Sequence, residues 1–325
     1  MSPHVLAYLR LLRLPTVFTA LADIFLGYLL ASGKTSLAIE LALYFDTQII
    51  SADARQFYCE MSIGTAKPSE IELSQVKHHF INSHSIQQNF TASNFAQEAT
   101  LLLKRLFETR RVVVLVGGSN MFIDALIDGL DDIPSDLSLK KELNSILEKN
   151  GINVFLDELK EKDPETFTTI DKNNPHRILR AIEAIRLSGQ KFSELKSGNK
   201  QQNKFNTFRF GLQWERSVLY DRINQRVDLM MDQGLLAEVK SLLPQRSLNA
   251  LKTVGYTELI NYLDGQINLD FALDQIKQHT RNYAKRQLTW MNRYDDLVWL
   301  DPNSSISPKE QIVTLLNYAN HESIS

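Results

Sequence analysis

Three groups of residues in this chain have types and spacings that suit phosphate chemistry. The first is Ala31-Ser32-Gly33-Lys34-Thr35-Ser36, which runs directly into a helical pattern with Leu37 and Leu41 on its inner face. A small-residue turn opening a helix offers free backbone N–H groups, the positive end of the helix dipole, the Lys34 ammonium and the Thr35 hydroxyl to one point. That combination suits a diphosphate held by Ser32, Gly33, Lys34, Thr35 and Ser36, with a magnesium ion (Mg2+) beside Thr35. A full P-loop also needs glycine at position 28, where Tyr28 stands. The second group is a carboxylate, Asp53, closing the apolar run Thr47–Ala52. The third is paired arginines at helical spacing, Arg222 with Arg226 and Arg177 with Arg180, which could clamp a diphosphate or a phosphodiester.

These residues need strands and helices to bring them together. Asp23-Ile24-Phe25-Leu26-Gly27 lies where the first buried strand of a P-loop domain is expected, running into the loop. Thr47–Asp53 reads as a second buried strand, and ligands gather at the carboxyl ends of such strands. Arg110 to Ser119 is the clearest strand, fully apolar from Val112 to Val116 and ending in Gly117-Gly118, as the middle of a parallel sheet requires. Its end carries no aspartate for magnesium, which argues against an ordinary ATPase. Ala92–Leu106 has helical periodicity. His78-His79 opens a further strand, where neighbouring side chains point to opposite faces, so the pair is structural and not a metal site. Residues 131–200 are polar, helix-rich and punctuated by Pro134, Pro164 and Pro175, the pattern of a helical insertion. From Gln275 to Tyr294 there are five basic residues and no acidic one, interleaved with Tyr283, Trp290 and Tyr294. Such a face fits an RNA backbone with bases stacked on the aromatics. The fold expected is α/β: a P-loop parallel-sheet core (31–130 and 201–325) with helices on both faces and a helical insertion domain (131–200).

The bulk numbers agree with a globular protein. The chain has 325 residues, 43% hydrophobic and 23% charged, with a net charge of −2, so any nucleic-acid partner must meet a local basic face. A single cysteine, Cys59, excludes an intramolecular disulfide framework and fits a reducing, cytoplasmic setting.

From Ala31 to about Pro302 the chain resembles the tRNA dimethylallyltransferases, also called tRNA isopentenyltransferases. The matching words are Ala31–Thr35, Ile50–Gln56, Met61–Pro68, Val116–Ser119, Pro175–Glu183, Thr253–Tyr256 and Thr280–Trp290. The resemblance implies transfer of a dimethylallyl group from dimethylallyl diphosphate to N6 of the adenosine 3′ of the anticodon in tRNA. It implies Asp53 as the base that takes the amine proton and Ser119 close to the reacting groups. Arg226, Lys34 and the Gly33 amides would then stabilise the leaving diphosphate, with magnesium at Thr35. It further implies contact with the tRNA anticodon stem-loop through Asp53, Ala54, Arg55, Gln56, His176, Arg177, Arg180, Lys252, Thr253, Val254, Gly255 and Tyr256, and through Arg281, Lys285 and Arg286. A monomer is expected.

Several departures from that pattern open other readings. Tyr28-Leu29-Leu30 replaces the family's Gly-Pro-Thr, which crowds the phosphate turn with a β-carbon and a ring. Asn120-Met121-Phe122 replaces a more usual Gly-Leu-Tyr, and Ala54 stands where serine is common. A P-loop small-molecule kinase that binds ATP and an RNA-binding relative without activity are the alternatives. Residues 8–23 resemble instead the start of a UbiA-type membrane prenyltransferase, as a chimeric N-terminus joined near Ala31–Gly33 would. The apolar stretch 5–31 could contact a membrane, although Asp23 near its centre opposes insertion.

Overall fold

The computed structural model describes residues 16–20, 34–131, 133–196 and 205–322, with side chains between 35 and 316. In chain order the elements are β1 (Thr16–Ala20), α1 (Lys34–Tyr44), β2 (Ile49–Ser51), α2 (Glu70–Gln75), β3 (His78–His79), α3 (Ala92–Leu106), β4 (Val112–Val116) and α4 (Asn120–Ile127). Five helices follow: α5 (Leu137–Asn150), α6 (Asn153–Lys162), α7 (Pro164–Thr169), α8 (Pro175–Ser188) and α9 (Phe192–Leu195). The chain then continues through β5 (Asn206–Leu212), α10 (Arg216–Asp232), α11 (Leu235–Leu242), α12 (Tyr256–Leu263), α13 (Leu269–Met291), β6 (Leu297–Leu300) and α14 (Pro308–Glu322).

The six strands form one parallel sheet in the order β3-β2-β4-β1-β5-β6. Successive side chains of a strand face opposite sides, and β4 uses both. Val113 and Leu115 join a core with Phe95 and Leu103 of α3, Val227 of α10 and Tyr256 of α12. Val114 and Val116 join a second core with Leu37 and Leu41 of α1 and Ile312 of α14. The sheet is therefore covered on both faces, as its continuous apolar strands require. Helix α3 has the bounds its periodicity gave, and its start is fixed by a capping box between Thr91 and Asn94.

The first strand differs from expectation. It is Thr16–Ala20, paired with β4 and β5, while the stretch Asp23–Gly27 lies outside the described residues. Ser32 and Gly33, the remainder of the N-terminal segment and its UbiA-like wording also lie outside them. Among the described residues no helix is long and apolar enough to cross a membrane.

Residues Asp128–Gln202 form a compact unit of their own, and the rest of the described chain forms the other. The helical unit packs Leu143, Phe155, Leu159, Ile178, Ile182 and Phe192 into its own core. At its centre sits Asp163, fully buried. Its carboxylate accepts from Thr166 N (3.0 Å) and Oγ1 (2.6 Å) and from Ser193 N (2.8 Å) and Oγ (3.0 Å). Burial alone would raise this carboxyl, but the four hydrogen bonds outweigh it and hold it below the usual range. A carboxyl depressed in the folded state gives stability that is present above the unfolded value, about 3.9. That stability is lost as pH falls through the folded value. Acid melts of the wild type and Asp163→Asn should therefore diverge, the variant being weaker at neutral pH and less sensitive to acid. Parallel acid profiles would refute this role.

Candidate active site

The carboxyl ends of β2 and β4 lie side by side and are stitched together by backbone and hydroxyl bonds. Ala52 N–H donates to Val116 O at 2.7 Å, and Ser119 N–H donates to Ala52 O at 3.2 Å. Ser119 Oγ accepts the N–H of Ala54 at 2.7 Å. A Cβ on Gly117 would lie 2.1 Å from Ala52 O, so only glycine permits this approach. The turn after β2 is closed by Asp53, whose Oδ1 accepts from the N–H of Arg55 (2.9 Å) and Gln56 (3.3 Å).

These two strand ends form one wall of a cavity of about 200 Å³. Asp53, Ala54, Arg55 and Ser119 line it, together with Arg226 from α10 and Thr253, Val254 and Gly255 ahead of α12. Val227, Met230, Leu235 and Ile276 add apolar lining, and Gly64, Thr65, Thr280 and Tyr283 complete it. Both Asp53 and Arg226 are buried. Tyr283 donates its hydroxyl to Gly118 O (3.0 Å), and Gln287 Nε2 donates to the same oxygen. Burial, and then the Asp53 carboxylate, push the Tyr283 hydroxyl up to about 12, so it stays protonated at neutral pH and keeps its proton for Gly118 O. The cavity thus brings a carboxylate, guanidinium groups and hydroxyls together with aliphatic side chains in one lining. A proton can be taken, an anion can be held, and a small apolar group can be buried there.

The other sequence-predicted residues are distributed as follows. Lys34 opens α1, where its backbone is described, and Thr35 and Ser36 are half-buried in that helix's first turn. Gln56 is buried, accepting from Ser51 Oγ and donating Nε2 to Thr65 O and Ala66 O, so its amide is engaged inside the protein. Tyr256 is fully buried with its hydroxyl on Glu238. Lys252 is exposed beside the Thr253–Gly255 segment, and Lys285 and Arg286 are exposed on α13. Arg281 donates to Asn224 Oδ1 at 2.7 Å. In the helical unit, His176, Arg177 and Arg180 line a separate cavity of about 520 Å³.

Three sequence expectations need correction. Arg222 does not join Arg226 in the cavity; its guanidinium lies 3.5 Å over the Trp214 ring. Arg180 is not a free partner of Arg177, because it donates to the carbonyls of Ile133 (2.8 Å) and Pro134 (2.7 Å) and to buried Glu183 (2.9 Å). The aromatics of α13 are not free side chains but are held by their polar edges. Trp290 Nε1 donates to Asp124 at 2.9 Å and Tyr294 donates its hydroxyl to the same carboxylate, while Tyr283 is held at Gly118. Those rings are half-buried, with Arg286 over Tyr283 and Arg293 over Trp290.

Glu258 stands in no pattern that marks it in the sequence, and it is buried. It accepts the N–H of Gly255 at 2.7 Å and meets His279 Nδ1 at 2.6 Å. Gly255 has a φ of +94°, and the carboxylate holds that turn against the cavity. His78 and His79 are engaged with Val76 O and Gln48, and burial depresses both, His79 to about 4. Among the described residues no three His, Cys, Asp or Glu side chains gather as a metal cage.

Residues 56–294 match the family model described as IPP transferase. The tRNA dimethylallyltransferase of Christiangramia forsetii is 45% identical over 272 residues, covering 83% of this chain and 90% of the relative. That of Flavobacterium johnsoniae is 43% identical over 278 residues, with the same shares. Among solved structures, the full-length tRNA isopentenylpyrophosphate transferase of Bacillus halodurans superimposes with a TM-score of 0.68 at 32% identity. It covers 95% of this chain and 97% of its own.

Proposed function

This chain belongs to the IPP transferase family, and on that premise we propose that it transfers a dimethylallyl group from dimethylallyl diphosphate to N6 of the adenosine 3′ of the anticodon in tRNA. In that reaction a bond forms between N6 and C1 of the donor, the C1–O bond breaks, diphosphate leaves and N6 loses a proton. Asp53 is the group placed to take that proton, and its position in one cavity with Arg226 and Ser119 is the observation that carries the reading. Arg226 offers buried positive charge to the leaving oxygen, and Lys34 and the amides at the start of α1 would hold the rest of the diphosphate. Tyr283 and Ser119 fix the strand ends on which Asp53 depends. Val227, Met230, Leu235 and Ile276 give the dimethylallyl group a dry place to sit.

Magnesium fits this donor set. The ion asks for hard oxygens in small number and accepts most of them from phosphate and water. Thr35 would hold it, and bound there it would neutralise charge on the diphosphate. The adenine must leave its stack to reach a cavity of this kind, and exposed Lys252, Lys285 and Arg286 are the basic side chains to meet the anticodon arm. We further propose a cytoplasmic monomer. A kinase reading gains no support, because β4 ends in Gly117-Gly118 with no carboxylate to hold a nucleotide's metal.

The test is transfer of label from dimethylallyl diphosphate to an anticodon stem-loop carrying adenosine at that position, beside one carrying inosine there. Labelling of the first alone is expected. Labelling of both, or of neither, would refute the assignment.

A further inference from the structure

Two of the words that marked the sequence, Met61–Pro68 and Thr253–Tyr256, are joined in the structure by a side chain that belongs to neither. Glu238 projects from α11. Its Oε2 accepts the N–H of Ser62 (2.9 Å) and Ile63 (2.8 Å), and its Oε1 accepts the N–H of Gly64 (3.1 Å) and the hydroxyl of Tyr256 (2.5 Å). Three successive N–H groups turned to one point form an anion-binding concavity. Here the anion is a carboxylate of the same chain. Tyr256 closes the arrangement, since a Cβ on Gly64 would lie 2.4 Å from its ring. Burial, and then the Glu238 carboxylate, keep the Tyr256 hydroxyl protonated.

Glu238 is not itself among the cavity-lining residues, but the stretches it ties are. Gly64 and Thr65 follow the anchored amides, Leu235 lies one helical turn before Glu238, and Val254 and Gly255 immediately precede Tyr256. One carboxylate therefore sets the separation of three chain segments that line the cavity. We propose that Glu238 is a positioning residue that fixes the width of the cavity between these segments, and so the length of prenyl donor the protein accepts. The proposal rests on the prenyl-transfer reading above. Its physical basis is that a hydrophobic site discriminates between chains differing in length only as far as its walls cannot yield.

The experiment uses the full chain with an anticodon stem-loop and two donors, dimethylallyl diphosphate and geranyl diphosphate. It compares wild type with Glu238→Ala, Glu238→Gln and Tyr256→Phe, measuring kcat and KM for each donor, thermal melting, and amide exchange at residues 62–64. For Glu238→Ala the preference for the shorter donor is expected to fall by about tenfold or more, with the dimethylallyl kcat/KM also lower and the three amides exchanging faster. Glu238→Gln and Tyr256→Phe should shift the same way by less. A folded Glu238→Ala that keeps the wild-type donor preference overturns the proposal, as does a loss of kcat equal for both donors at unchanged KM. If Glu238→Ala does not fold, Tyr256→Phe decides by the same two criteria. Wild-type protein that uses neither donor overturns the functional reading and this proposal together, which separates that failure from a failure of Glu238 alone.

Discussion

Asp53→Asn is expected to lower dimethylallyl transfer by about 10²- to 10⁴-fold, the range for removing a positioned general base. The substitution is chosen for what it leaves in place. Asparagine keeps the oxygen that accepts from the Arg55 and Gln56 N–H groups, so the turn after β2 should survive. Only the ability to take a proton is removed. Single-turnover transfer from labelled dimethylallyl diphosphate measures the effect, and filter binding of the stem-loop, expected to persist, separates chemistry from RNA affinity. A variant within about tenfold of wild type would mean that the amine loses its proton elsewhere, since general-base terms are larger than that.

Gly117→Ala should produce the largest change in stability. The added Cβ would stand 2.1 Å from Ala52 O and 2.4 Å from Ala52 C, and both are backbone atoms. Neither strand end can withdraw without losing the Ala52–Val116 and Ser119–Ala52 hydrogen bonds. A flexible side chain could move aside, but a sheet cannot. The cost is expected to be about 3 kcal/mol or more, seen as a melting temperature lower by roughly 6 °C or more. Gly189→Ala is the control. That glycine caps α8 at a φ of +71° with no atom near its missing Cβ, so only backbone strain is at stake, about 1 kcal/mol. If the two variants melt alike, the close approach of β2 and β4 is not what the glycine serves.

Much of this arrangement can be read from local pattern. An unbroken apolar run of four valines and a leucine ending in two glycines makes β4 a central strand, and the periodicity of Ala92–Leu106 with Thr91 ahead of it makes α3. Asp53 is placed by the rule that parallel strands gather ligands at their carboxyl ends. What escaped the sequence depends on contacts between distant segments. Thr16–Ala20 is a short run with two threonines, and only its pairing with β4 and β5 marks it as a strand. Counting charges along Gln275–Tyr294 hid the fact that Tyr283, Gln287 and Trp290 share one helical face, directed at Gly118 and Asp124. Glu238 sits in a short amphipathic helix with nothing unusual around it, and its partners are amides at residues 62–64.

The strand order carries a consequence for how the chain comes off the ribosome. Among the described elements β1 is made first, yet it pairs with Val112–Val116 on one side and Asn206–Phe210 on the other, so the middle of the sheet waits for a segment synthesised much later. Long-range parallel pairing of this kind makes folding slow, because loop closure must precede the contacts that reward it. The unit Asp128–Gln202 emerges between those two partners and holds its core within its own stretch of chain. Pulsed amide exchange during refolding is expected to find α8 protected before β5. The first of the described elements to be translated would then be among the last to be locked in place, and nascent chains stalled before Asn206 would carry one edge of β1 unpaired.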